Sequence, residues 1–210
     1  MATAHYDSDV FINCPFDNQF KEIFNAIVFA VFDCGFRPRC SLEIDDGSQV
    51  RIDKIFDIIR DCKLGIHDIS RTEYDEGNGL PRFNMPLELG MFLGAKRFGH
   101  GVHKRKVCLI LDRERFRYQS FVSDIGGQDI RPHDGKPLLA IEVVRDWLRS
   151  TRPEVSIPGG TVIGNRYQAF LRQLPEMCAS LSLAPGKLTF LDFKWCISAW
   201  LQANSWESSA

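Results

Sequence analysis

The chain has 210 residues, 44% of them hydrophobic and 25% charged, which is ordinary for a globular protein and enough for one full domain with an appendage. Twenty-six basic side chains against twenty-seven acidic ones leave a formal charge of −1, so no global field draws the protein to nucleic acid or to an anionic membrane. No apolar run reaches the ~18 residues needed to cross a bilayer, Met1 to Asp9 form no apolar signal region, and seven scattered cysteines without a C-x-x-C pair read as reduced thiols; a cytoplasmic location is expected.

Val10-Phe11-Ile12 is a short apolar run ended by Asn13-Cys14-Pro15-Phe16-Asp17, which reads as a buried strand and its exit loop. Phe20, Ile23, Phe24, Ile27, Val28 and Val31 then recur at helical spacing, with Asp17 or Asn18 as cap and Gly35 as stop. Phe36 to Leu42 predicts a second strand, placed at an edge because Pro38 donates no ladder hydrogen bond. After the polar loop Glu43 to Gly47, Ser48 is expected to cap a helix with Ile52, Ile55, Phe56, Ile58 and Ile59 on its apolar face. Arg51 falls in the first turn, where a cation opposes the helix dipole. It is either a solvated surface charge or a fork kept for a phosphate or carboxylate.

Leu64 to Ile69 reads as a third strand with Asp68 near its carboxyl end, the edge at which open parallel sheets bind ligands. Asp68 either reaches such a ligand or caps the following loop. Arg71 to Phe83, with Tyr74, Asp75 and Glu76, is polar and glycine-containing and is expected to form a mobile flap over the site. The next helix is almost wholly apolar: from Met85 to Ala95, Glu88 is the only charge. A helix that is hydrophobic all round is buried, and a buried carboxylate is costly unless it is compensated. With Met85 or Asn84 as N-cap, Glu88 would sit in the first turn and suit the dipole, although neither completes a capping box. The alternative is a site, since Gly90 and Gly94 leave one helix face bare for a backbone or a flat ligand.

Val107 to Leu111 predicts a fully buried fourth strand ending at Asp112. Lys104-Arg105-Lys106 and Arg113, Arg115 and Arg117 are read as solvated loop charges. Ser123 to Ile130 is a turn before a short last strand, and Pro137 opens a helix with Leu138, Ile141, Val144 and Leu148 inward. Thr151 to Gly160 carries two prolines and a Gly-Gly pair and reads as a linker, dividing an α/β domain (1–150) from a helical extension (151–210). Tyr167, Phe170, Leu171 and Leu174, then Phe190, Phe193, Trp195, Ile197, Trp200 and Leu201, form two apolar helices that either pack back on the sheet or make a homo-oligomer or regulatory-partner interface. His67, His100, His103 and His133 lie on different segments without ligand spacing, so neither a metal nor a bound cofactor is expected.

The run Asn84-Met85-Pro86-Leu87-Glu88-Leu89-Gly90, preceded by Leu64-Gly65-Ile66-His67-Asp68-Ile69-Ser70 and followed by Lys106-Val107-Cys108-Leu109-Ile110-Leu111, resembles the core of the nucleoside 2-deoxyribosyltransferase and nucleotide N-hydrolase superfamily. It is also similar to prokaryotic TIR-like domains, in which a comparable Asn and Glu-Leu-Gly segment opens the helix carrying the NAD-cleaving glutamate. The resemblance covers Val10 to Asp112, about half of the chain, while Asn13-Cys14-Pro15-Phe16-Asp17 departs from the first loop of either group. It implies a flavodoxin-like open parallel sheet of four to five strands with flanking helices, which the strand and helix alternation also predicts. It further implies that Glu88 is nucleophile or electrostatic stabiliser and that Asn13 and Asp68 shape the sugar pocket.

Breaking the bond between ribose C1′ and a base nitrogen passes through an oxocarbenium-like transition state, which needs a carboxylate below the anomeric carbon. Glu88, Asn84 and Asp68 are therefore the candidate catalytic residues, with Asn13, Pro15, Phe16, Asp17, Arg51, Arg82 and Met85 as candidate substrate contacts. The expected activity is N-glycosidic hydrolysis of a nucleotide, NAD first, the role such TIR-like proteins fill as nucleotide-depleting effectors of antiviral defence. Deoxyribosyl transfer or deoxynucleotide hydrolysis is an alternative enzyme reading, and a nucleotide-sensing assembly module is the alternative without turnover.

Overall fold

The computed structural model describes residues 4–72, 74–75 and 80–206. In chain order its elements are β1 (Asp9–Asn13), α1 (Lys21–Asp33), β2 (Arg37–Arg39), α2 (Arg51–Asp61), β3 (Leu64–Asp68), the hairpin β4 (Tyr74–Asp75) and β5 (Leu80–Pro81), and α3 (Asn84–Phe98). There follow β6 (Val107–Asp112), β7 (Ile130–Pro132), α4 (Pro137–Thr151), α5 (Gly160–Ser180) and α6 (Phe190–Ala203). Five strands form one parallel sheet in the order β2-β1-β3-β6-β7, a flavodoxin-like α/β arrangement. β1 and β3 are buried at every position, which is why Val10-Phe11-Ile12 and Leu64-Gly65-Ile66 read as unbroken apolar runs rather than alternations.

Pro38 lies on β2, the edge strand, as its missing N–H requires. α1 ends where Gly35 takes a φ of +79°, and the N–H groups of Gly35 and Phe36 close back on the carbonyls of Phe32 and Val31. One sheet face is covered by α2 and α3, whose Ile55, Ile58, Ile59 and Phe92 pack with Phe11. Gly65 is fixed by that packing: a Cβ there would meet Phe92 at 2.9 Å and His67 Nε2 at 2.7 Å.

The opposite face is covered by α1 and α4, and α5 and α6 lie outside them as a further layer. Ala26 to Val31 are fully buried in consequence, and Phe29 stacks on Phe170 at 5.4 Å and meets Trp200 at 5.9 Å. Arg166 of α5 grips Asp33 at the end of α1 through two nitrogens (2.9 and 3.1 Å). The aromatic helices after the 151–160 connection therefore share one core with the sheet domain.

Several local expectations are corrected. Val50, not Ser48, is the N-cap of α2, because the Ser48 N–H and hydroxyl are taken by Asp46 Oδ1. Phe56 and Leu138 are exposed, and β6 begins exposed at Val107. Lys106 is no solvated charge: it is fully buried, donates to the carbonyls of Ile59 and Cys62 at the C-terminal end of α2, and is lowered to about 8 by burial. Arg117 likewise is pinned by Asp112. The flap region carries the β4–β5 hairpin; Glu76 and the rest of 76–79 lie outside the described residues.

Candidate functional site

The chain runs from β1 to β2 on one side and from β3 to β6 on the other, so the strand order reverses between β1 and β3. A crevice opens there at the carboxyl edge. Asn13 and Asp68 end those two strands, and both are fully buried. Asn13 Nδ2 donates to the carbonyl of Met85 (2.9 Å) and stands 3.0 Å from His67 Nδ1. That fastens the first turn of α3 to the sheet edge. Asn13 is thereby a positioning group for α3, and only its Oδ1 is left without a partner.

α3 begins at Asn84 with Phe83 as N-cap and no side-chain cap. Glu88 is the fifth helical residue, beyond the first turn, so both cap readings fail. The helix is not buried all round either: Leu87 and Phe98 are 55% and 79% exposed, while Met85, Glu88, Leu89 and Phe92 are buried. Glu88 is 6% exposed and makes no hydrogen bond or ion pair with a described residue. Burial raises its pKa to about 7, and the opposing charge of Arg51 lowers it. No backbone or side chain of the described protein approaches Gly90 or Gly94 closely, since a Cβ on either would meet nothing within 4 Å.

A cleft of about 460 Å³ lies in front of this turn, within the size range of small-molecule sites. Pro15, Phe16 and Asp17 of the β1 exit loop, Arg51 of α2, and Arg82, Asn84 and Met85 line it. The sequence missed two lining residues, Leu42 and Arg71. Arg71 follows the carboxyl end of β3, a placement that could have flagged it; Leu42 carries no such signal. Among the described lining residues three guanidinium groups meet one carboxylate. Asp17 Oδ1 accepts from the N–H groups of Gln19 and Phe20, and Oδ2 makes only a loose ion pair with Arg71 at 3.5 Å. The described part of the wall carries more positive than negative groups, a composition suited to phosphate.

Glu88 itself stands one turn behind Asn84 on the same face of α3, next to the lining rather than in it. Its charge, with those of Asp68 and Asp17, reaches the buried Cys14 thiol, which burial first and then these carboxylates hold well above the usual thiol range. The three acids therefore converge on the end of β1. Behind them His67 is buried against Phe11 and Phe92 and lowered to about 3, by burial first and then by Lys106, so its ring is neutral.

Asp68 is engaged elsewhere. Oδ1 accepts from the Ser70 N–H (2.9 Å), and Oδ2 lies 3.0 Å from His133 Nε2. Ser70 Oγ is 2.9 Å from the same nitrogen. This Ser–His–Asp cluster is not a relay: His133 Nδ1 accepts from the Gly135 N–H, so Nε2 carries the proton and cannot take one from Ser70. Beyond it, Arg117 binds Asp112 Oδ1 through Nε and Nη2 (2.8 and 2.6 Å) and donates to the Ile69 carbonyl.

A larger hollow, about 750 Å³ beside β7, holds no buried carboxylate and none of the unpartnered buried polar atoms. Among the described residues no group of His, Cys, Asp or Glu is arranged to hold a metal ion, all seven cysteines are free, and no helix is long and apolar enough to cross a membrane. Set against family models, curated proteins and solved structures, the chain finds a match in none of the three.

Proposed function

We propose that the protein hydrolyses the N-glycosidic bond between ribose and base in a nucleotide, with NAD as the first substrate to test. The observation that carries this reading is Glu88: a carboxylate raised to about 7 inside a helix, unpaired, beside an arginine-lined cleft at the switch point of a parallel sheet. An uncompensated buried acid is costly, and a cation developing at C1′ is the partner that would relieve it.

In the proposed reaction Arg51, Arg71 and Arg82 hold the phosphates. The C1′–N bond breaks with its electron pair leaving on the nicotinamide nitrogen, which becomes neutral. Glu88 in its ionised form stabilises or traps the oxocarbenium carbon, and water adds at C1′ and gives up a proton. ADP-ribose, nicotinamide and one proton are the products. Asn84, one turn before Glu88, is available to a ribose oxygen; Asn13 and Asp68 act by fixing α3 and the β3 exit loop. Incubation with NAD and detection of nicotinamide tests the reading, and Glu88→Gln should abolish release. Release that persists in Glu88→Gln would end it.

A further inference from the structure

A second hollow of about 230 Å³ adjoins the arginine cleft and shares two of its residues, Phe16 and Leu42. Its other walls come from α1 and from the turn that leads into α6. Phe24, Phe190 and Phe193 form the inner side, each under 10% exposed. Phe16 meets Phe24 edge-on at 5.3 Å, and Phe24 and Phe190 lie tilted at 5.7 Å. Asn18, Asn25 and Lys21 supply polar groups at the rim. With half the volume of the cleft, 230 against 460 Å³, it has room for a ring system rather than a nucleotide. Aromatic walls with amide groups beside them are what a flat heterocycle needs: faces to stack on and donors and acceptors for its edge.

The partition between the two hollows is fixed from the C-terminal helix. Lys194 of α6 donates to Glu43 Oε1 (2.8 Å) and to the Pro38 carbonyl (3.1 Å), and Arg39 bridges Glu43 to Asp9 (2.6 and 2.9 Å). The 41–43 turn, and Leu42 in it, is thereby held between α6 and the sheet.

We infer that the hollow between the β1 exit loop and α6 is a second base subsite, which takes the heterocycle at the far end of a dinucleotide whose phosphates lie in the arginine cleft. The inference rests on the nucleotide reading above and narrows it to dinucleotides. It also gives α5 and α6 a part in ligand binding.

Calorimetric titration of the full chain with ADP and with inorganic pyrophosphate tests it without calling on catalysis. ADP should bind at least tenfold more tightly than pyrophosphate, about 1.4 kcal/mol. Asn25→Trp, which fills the hollow from α1, should bring the ratio below threefold. In the unaltered protein, nuclear Overhauser contacts should run from the adenine protons to the rings of Phe24 and Phe190, a readout independent of how the variant folds. Equal affinities, adenine contacts elsewhere, or no binding of either ligand would overturn the subsite. If the ADP contrast holds while NAD is left intact, the subsite stands and the glycosidase reading falls. If NAD is cleaved but ADP binds no better than pyrophosphate, the reverse is true.

Discussion

On the β6 side of β3, each buried acid at the carboxyl edge of the sheet is anchored through one oxygen, Asp112 Oδ1 by Arg117 and Asp68 Oδ1 by the Ser70 N–H, with His133 Nε2 3.0 Å from Asp68 Oδ2, while neither Oδ2 makes a hydrogen bond. On the β1 side, a few residues away, Glu88 has the charge of Arg51 but no hydrogen-bond or ion-pair partner among the described residues, and the Asn13 carbonyl oxygen has no hydrogen-bond partner among them either. The same sheet edge thus carries two acids held by a partner on one oxygen and a third, Glu88, held by none among the described residues. Buried polar atoms without a hydrogen bond, which cost roughly 1–3 kcal/mol each, occur on both sides of β3, so the sides differ in whether the acid has a partner on either oxygen and not in where such atoms lie.

The comparison breaks first on substitution of the acids. Glu88→Gln should lower nicotinamide release from NAD by at least a thousandfold, about 4 kcal/mol of transition-state stabilisation, with the fold retained by circular dichroism. Arg117→Ala on the other side should leave Asp112 buried and unpaired and lower stability by roughly 3 kcal/mol in denaturant titration. If Arg117→Ala is silent, the two sides do not differ as argued.

The pH dependence separates the sides further. Glu88 is raised from 4.5 to about 7 on folding, so between those values the folded chain binds more protons than the unfolded one, and stability falls as pH rises. Glu88→Gln lacks that loss. It should equal the parent near pH 4.5 and exceed it by on the order of 2–3 kcal/mol above pH 7. The rate should run the opposite way, with kcat/KM rising through an apparent pKa near 7 as the carboxylate ionises. A smaller effect belongs to Arg51→Ala. It should weaken binding of a phosphorylated ligand about tenfold, as loss of one charge-assisted contact does, and move the rate midpoint to higher pH, because Arg51 is the group that lowers Glu88.

The sheet could be read from the chain because its strands are buried on both faces, so Val10-Phe11-Ile12, Leu64-Gly65-Ile66 and Leu109-Ile110-Leu111 appear as apolar runs punctuated by helices. The lining of the candidate cleft could be read in part for a related reason. Pro15, Phe16, Asp17, Arg51, Arg82, Asn84 and Met85 all follow the carboxyl end of a strand or open a helix there, and in this fold those positions share one edge. What escaped was set by distant partners. Nothing near Lys106 in sequence reveals that it meets the carbonyls ending α2, and nothing near Asn13 reveals the Met85 carbonyl 72 residues away. Leu42 joins the cleft only because α6, some 150 residues later, holds its turn.

The glycines of α3 give the mildest test and the finest one. Gly90 and Gly94 lie inside the helix at negative φ with open space where a Cβ would go. If the ligand side of α3 is the Asn84–Glu88 side alone, Gly90→Ala and Gly94→Ala should each stabilise the chain by about 0.5–1 kcal/mol in thermal unfolding and leave the rate and KM for NAD unchanged. If the bare face serves a ligand instead, the same methyl groups would raise KM while still raising stability. That outcome would move the working face of the helix away from Glu88 and remove the distinction drawn between the two sides of β3.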